Sequence, residues 1–225
     1  MSLDSNYKIN KTGDSYILYD ASIIAEPARH LFDIDYHTNQ QAQQNNSAQE
    51  TVSGRAGIGR AQVTYFTYND RALVLKHYYR GGAVASILKD RYLGLSVLRT
   101  RAFKEWRLLK KMHQLGLPVP NAVAAHVDKT LIFYTADLIT EEIKDAKTLA
   151  DVLAEKAIDS GQWSKIGNCI RLFHQHDVYH ADLNARNILL TGASPETGDI
   201  YLIDFDNSGF RPGTGSWKMA NLARL

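Results

Sequence analysis

His180-Ala181-Asp182-Leu183-Asn184-Ala185-Arg186-Asn187 leads into the apolar run Ile188-Leu189-Leu190, and Ile203-Asp204-Phe205-Asp206 brings a second acid 22 residues after Asp182. Phosphoryl transfer from a nucleotide needs a carboxylate beside the acceptor hydroxyl and oxygen ligands that hold Mg2+ against the phosphates. Asp182, with Asn187 five residues on, lets one loop supply a base and a neutral ligand. Asp204, at the end of the apolar Ile200-Tyr201-Leu202-Ile203, supplies a charged one. The competing explanation is a capped turn with an unrelated surface acid. Three linked positions in an apolar frame argue against it.

The elements that must position these residues are read from periodicity. Lys76 follows the apolar Ala72-Leu73-Val74-Leu75, the second strand of a hairpin whose first covers 62–67 and whose turn is Asn69-Asp70. From Arg101 to Leu115 the pattern is helical, with Ala102, Glu105, Leu108, Leu109 and Met112 on one face and Gly116 to Pro120 ending it. A carboxylate on that face is expensive to bury unpaired, and a Lys76–Glu105 ion pair resolves the cost. Gly54, Gly57 and Gly59 let a backbone approach phosphates, although their spacing is not G-x-G-x-x-G.

Further elements are expected at 16–19, 22–25 and 131–134 as short strands, at 148–155 and 163–174 as helices, and at 200–204 as a strand. Trp163, Ile166, Ile170 and Phe173 make one stripe of the second helix. Residues 39–49 form a Gln/Asn-rich polar tract, read as an exposed loop or a loosely held helix. The division expected is an N-terminal extension over 1–50, a β-rich lobe over 51–137 and a short, mainly helical lobe over 138–225, with 136–140 as connector.

The chain has 225 residues, 44% hydrophobic and 22% charged, which excludes collagen-like, disulfide-scaffold and disordered classes. No apolar run approaches the ~18–20 residues of a membrane span, and the first residues carry no signal-peptide pattern. The single Cys169 excludes an internal disulfide. Net charge is +2, yet residues 71–111 hold 11 Lys or Arg against Asp90 and Glu105. Such a stretch suits a phosphate-handling surface or an anionic lipid surface, or is simply solvated. No zinc-finger or RNA-binding signature accompanies it, so nucleic acid is not expected.

With these parts in place the chain resembles the protein-kinase-like superfamily, whose catalytic loop reads H-x-D-x-x-x-x-N followed by D-F-x. The resemblance implies a bilobal α+β fold, ATP and Mg2+ as cofactors, Asp182 as base, Asn187 and Asp204 as metal ligands, and Lys76 with Glu105 at the nucleotide. Arg186 stands where tyrosine kinases place the arginine of their H-R-D-L-A-A-R-N loop, and implies a catalytic positive charge. Asp206 in place of the glycine of D-F-G departs from the flipping activation-loop pattern. No A-P-E-like segment occurs in the 21 residues after Asp204, so a small-molecule, sugar or lipid-headgroup acceptor is expected instead of a peptide.

Within that superfamily, His77-Tyr78-Tyr79-Arg80-Gly81-Gly82, Lys89-Asp90-Arg91-Tyr92, Gly116-Leu117-Pro118-Val119-Pro120 and Asp204-Phe205-Asp206-Asn207-Ser208 resemble the 3-deoxy-D-manno-octulosonic acid (Kdo) kinases of Gram-negative bacteria. That resemblance implies transfer of the ATP γ-phosphate to the 4-hydroxyl of Kdo on the lipid A precursor, in lipopolysaccharide core biosynthesis. It also implies a peripheral enzyme on the cytoplasmic side of the inner membrane; no protein partner is expected. Arg80, Lys89 and Arg91 then become candidates for the acidic acceptor. A heptose kinase, an aminoglycoside-type phosphotransferase, a small atypical serine kinase and a nucleotide-binding pseudokinase remain alternatives.

Overall fold

The computed structural model describes residues 6–25, 27–37, 61–78, 92–93, 96–131, 133–192, 198–213 and 215–225. Gly54, Gly57, Gly59, Arg80, Lys89 and Arg91, and the polar tract at 39–49, lie outside them. Two compact units result: one from residues up to Trp106 with Ala122–Glu142, the other from Arg107–Asn121 with Ile143–Leu225.

The first unit is built on one antiparallel sheet. Its strands are β1 (Tyr7–Thr12), β2 (Ser15–Asp20), β3 (Ala61–Tyr68), β4 (Arg71–Tyr78), β5 (Tyr92–Leu93), β6 (Ala122–Thr130) and β7 (Phe133–Glu141). The order is β1-β2-β6-β7-β4-β3, with β5 also pairing β7. Strand alternation sends Leu73, Leu75 and His77 of β4 to one face and Val74, Lys76 and Tyr78 to the other. On the first face Leu73 and Leu75 pack with Ile17, Phe66, Val123 and Ile139. Ile24, Leu31 and Phe32, from the segment after β2, join that core. Residues 1–50 therefore supply two strands and part of the core of this sheet.

The ladder also builds a polar row. Register sets His77 opposite Asp137 and His126 opposite Asp137, so three strands place His–Asp–His side by side. Asp137 accepts from His77 Nδ1 at 2.5 Å and from His126 Nδ1 at 3.0 Å. The other nitrogen of His126 faces Ser15 Oγ at 2.9 Å and Asp128 Oδ1 at 3.4 Å, and Asp128 meets Arg29 at 2.6 Å. Burial works to lower the His126 pKa, but its bonds to Asp128 and Asp137 outweigh that and raise it. The His126 hydrogen bond holds the Asp128 carboxyl at about 2. Burial opposes ionisation of Asp137, and the two histidines overcome it. This row borders an open cavity of about 660 Å³ that Arg29, Phe32 and Asp33 also line.

Helix α1 (Arg101–Gln114) buries Ala102, Phe103, Glu105, Trp106, Leu109 and Met112, a wider face than the expected stripe. It ends where Gly116 adopts φ +71° and Leu117 N–H donates to Met112 O at 3.0 Å, the left-handed stop that glycine favours.

The second unit carries α2 (Leu149–Glu155), α3 (Ser160–Gln175) and α4 (Ser216–Leu222). It also has a small sheet of β8 (Ala146–Thr148), β10 (Ile188–Thr191) and β11 (Ile200–Leu202), and a β9 (Val178–Tyr179)–β12 (Gly209–Phe210) pair. A capping box between Asp159 and Gln162 starts α3 at Ser160, three residues before the expected start. Ile166, Ile170 and Phe173 are buried as expected, but Trp163 is 43% exposed and Gln162 is buried. Cys169, on this helix, has its Sγ 3.7 Å from Ile200 O, and burial pushes its thiol up to about 12.

Three local expectations are corrected. Residues 22–25 are a turn, because Asp20 accepts from Ser22 N–H at 2.9 Å and Ser22 Oγ–H at 2.6 Å and bends the chain back. Leu131 is 89% exposed at φ +56° between β6 and β7, so the strand starts at Phe133. Residues 136–140 are no connector: they lie inside β7, paired to β6 on one side and β4 on the other.

Candidate functional site

In the first unit, β4 and α1 bring together the lysine and glutamate. Lys76 Nζ lies 3.1 Å from both Glu105 carboxylate oxygens, and Glu105 is only 3% exposed. Tyr78, two residues along the same strand face, donates its hydroxyl to Glu105 Oε2 at 2.6 Å. Its ring lies under Lys76 Nζ, 4.6 Å from the centroid. The buried carboxylate is therefore held by an ammonium and a phenol, which answers the burial cost read from the helix pattern. Tyr78 was absent from that reading, although strand alternation puts it on the Lys76 side.

In the second unit, β9, β10 and β11 frame the loop that carries Asp182. His180 is buried, its ring 4.6 Å from that of Phe205, which in turn stacks at 5.8 Å on Phe173 of α3. His180 Nε2 lies 2.9 Å from Ile203 O, and Asp182 N–H donates to His180 Nδ1 at 3.2 Å. A carbonyl only accepts and an amide N–H only donates, so the pair fixes a neutral imidazole protonated at Nε2.

Asp182 O accepts from Asn184 Nδ2 at 3.1 Å and from Asn187 Nδ2 at 2.8 Å. Asn184 also caps the short helical turn 185–187 by accepting from Arg186 N–H at 2.8 Å. The Asn187 amide is thus oriented by its nitrogen, which Asp182 O holds. Asn187 O accepts from Ile203 N–H at 3.0 Å, which ties the loop to the residue before Asp204. Asp204 itself sits at φ +61°, a left-handed conformation uncommon outside glycine. Such strain persists only where the surroundings impose it, here the β10–β11 ladder on one side and buried Phe205 on the other.

The structure therefore assembles Lys76 with Glu105, and Asp182 with Asn187 and the segment bearing Asp204. Arg186 and Asp182 are exposed in the loop. Among the described residues no group of three His, Cys, Asp or Glu side chains gathers as a metal site. A carboxylate plus an amide oxygen is the sparse donor set that suits Mg2+, which keeps waters and phosphate oxygens as its other ligands.

The sequence profile of the Lipopolysaccharide kinase (Kdo/WaaP) family matches residues 45–225. The chain belongs to this family. A 3-deoxy-D-manno-octulosonic acid kinase of Mannheimia succiniciproducens is 44% identical over 152 residues, covering 67% of this chain and 62% of that protein. One from Vibrio vulnificus is 36% identical over 213 residues, covering 95% and 84%. The chain spans 62% of the Mannheimia relative and equally of one from Actinobacillus succinogenes. A solved structure of WaaP in complex with acyl carrier protein aligns with a TM-score of 0.53 over 89% of this chain and 77% of that one, at 15% identity. The Kdo/WaaP member described here accordingly has the protein-kinase-like fold, and no helix among its described residues is long and apolar enough to cross a membrane.

Proposed function

We propose that this Kdo/WaaP family member is an ATP-dependent sugar kinase that phosphorylates the 4-hydroxyl of Kdo on a lipid A precursor. The reading is supported above all by the loop at Asp182, where an exposed carboxylate projects from a backbone fixed on both sides by side chains. Asp182 accepts the proton of the acceptor hydroxyl as its oxygen bonds to the γ-phosphorus. The bond from that phosphorus to the bridging oxygen breaks, and ADP leaves with the electron pair. Arg186 faces the charge spread over the transferring group. Lys76, oriented by Glu105, holds nucleotide phosphate, with Gly54, Gly57 and Gly59 offering backbone N–H groups. Asn187 and Asp204 hold Mg2+, which when bound neutralises phosphate charge.

Arg80, Lys89 and Arg91 are assigned to the acceptor, whose carboxylate and phosphates suit guanidinium and ammonium groups. Activity is placed at the cytoplasmic face of the inner membrane, where that lipid-linked sugar is presented. Incubation with Mg-ATP and the Kdo-bearing lipid should add one phosphate to the Kdo by mass. Nucleotide binding without transfer to any sugar would overturn the reading. Arg80→Ala should raise KM for the lipid about ten- to a hundredfold with KM for ATP unchanged. A fall in ATP affinity instead would move Arg80 to the nucleotide site.

A further inference from the structure

Asp182 can act as a base only if the two residues before it hold their place, and neither His180 nor Ala181 lies in a helix or strand. Their four backbone polar groups each meet a side chain instead. Asn221 Nδ2 donates to His180 O at 2.5 Å, and His180 N–H donates to Asn221 Oδ1 at 3.4 Å. Ala181 N–H donates to Ser208 Oγ at 2.9 Å, and the Arg224 guanidinium donates to Ala181 O. Three of these four bonds come from α4 and the turn after it, some 40 residues along the chain.

Asn221 is the centre of that brace. It is 1% exposed, and its amide closes a two-bond ring on the His180 peptide, as a neighbouring strand would. Its Oδ1 also lies 3.3 Å from His174 Nε2 on α3. An amide oxygen only accepts, so His174 Nε2–H is the donor of that bond. Flipping the carboxamide would set its NH2 against the His180 N–H and its oxygen against His180 O, so these bonds select this orientation. The Trp217 ring, edge-on to His174 at 5.3 Å and to Tyr179 at 5.9 Å, seats α4 against α3 and β9.

We infer that Asn221 is a positioning residue of the phosphoryl-transfer site, with Arg224 as its auxiliary: together they fix the His180-Ala181 backbone and so the place of the Asp182 carboxylate. The inference rests on Asp182 being the base. Both residues act here through backbone atoms of the loop, so their loss falls on the rate step. A misplacement of about 1 Å costs up to roughly a hundredfold in rate.

Asn221→Ala should lower kcat about ten- to a hundredfold with KM for ATP within about twofold of wild type. Arg224→Ala, a surface change that spares the fold, should lower kcat a fewfold, and Arg224→Lys should regain part of the loss. Hydrogen exchange at the His180 and Ala181 amides gives a second reading that needs no turnover. Exchange there should accelerate in both alanine variants, while α3 amides stay protected. Wild-type kcat and exchange in folded variants would overturn the inference. So would a parallel fall of kcat and ATP affinity, which marks general loosening. If Asn221→Ala does not fold, Arg224→Ala decides. If the wild type transfers no phosphate while the variants still loosen the loop, the proposed function fails and the brace stands.

Discussion

Two regions of this protein set a histidine beside an aspartate, and they use the pair in opposite ways. In the sheet, Asp137 spends both carboxylate oxygens on His77 and His126, and His126 is gripped by Asp128 on its other side. In the loop, the His180 ring accepts from the backbone N–H of Asp182 and not from its carboxylate, and the Asp182 side chain is exposed. The first arrangement ties strands together through ions. The second uses its histidine to hold backbone, and leaves the carboxylate free for the role proposed above. An aspartate is recruited to structure when its oxygens are consumed and to chemistry when its scaffold is supplied by others.

The largest effect should come from Asp182→Asn, which keeps the scaffold and removes the base. Turnover should fall about 10²–10⁴-fold while Mg-ATP affinity stays close to wild type. Calorimetry of nucleotide binding beside a transfer assay checks both, and near-normal turnover would erase the contrast between the regions. Asp204→Ala follows, with a rate loss on the order of a hundredfold and weaker Mg2+-dependent nucleotide binding. Recovery of full activity at ordinary Mg2+ would reduce Asp204 to a turn residue.

The sheet should answer to pH instead of to nucleotide. Asp128, depressed from 3.8 to about 2, and the lowered Asp137 contribute stability that is full above the ordinary carboxylate range and fades as pH falls toward about 2. His126, raised above 6.5, contributes fully below 6.5 and loses its share as pH climbs through its raised value. Thermal stability should therefore peak between roughly pH 4 and 6.5, with the Asp128 part worth about 2 kcal/mol. Asp137→Asn should cost about 1.5–3 kcal/mol, since it removes one of the two carboxylates that hold His126, and should flatten the alkaline limb. A melting profile as steep in the mutant as in wild type would assign the pH response elsewhere. The smallest effect belongs to Tyr78→Phe. Losing one bond that orients Glu105 should weaken Mg-ATP binding a fewfold, by about 0.5–1 kcal/mol, and titration of nucleotide into the variant measures it.

Much of this contrast was unequally legible in the amino-acid order. The loop at Asp182 announces itself because its acid and amide lie five residues apart on one short segment. The Lys76–Glu105 pair was inferable because an acid on an apolar helix face demands a partner. The His77–Asp137–His126 row was not, since strand register alone sets His77 beside an acid 60 residues away. Asn221 was hidden for the same reason: nothing local distinguishes it from any helix-surface amide. Trp163 misled because the helix starts three residues earlier, with Gln162 drawn inward by the capping box and Trp163 left exposed beside it.

The position of Cys169 has a practical consequence. Burial that pushes the thiol up to about 12 keeps it protonated at neutral pH, so it reacts slowly with alkylating reagents and mild oxidants. As this is the chain's single cysteine, a second one placed by mutagenesis on an exposed surface would be modified selectively in the otherwise native sequence. A fluorophore or spin label can then be carried at a chosen point, such as beside the loop of Asp182, without first replacing Cys169.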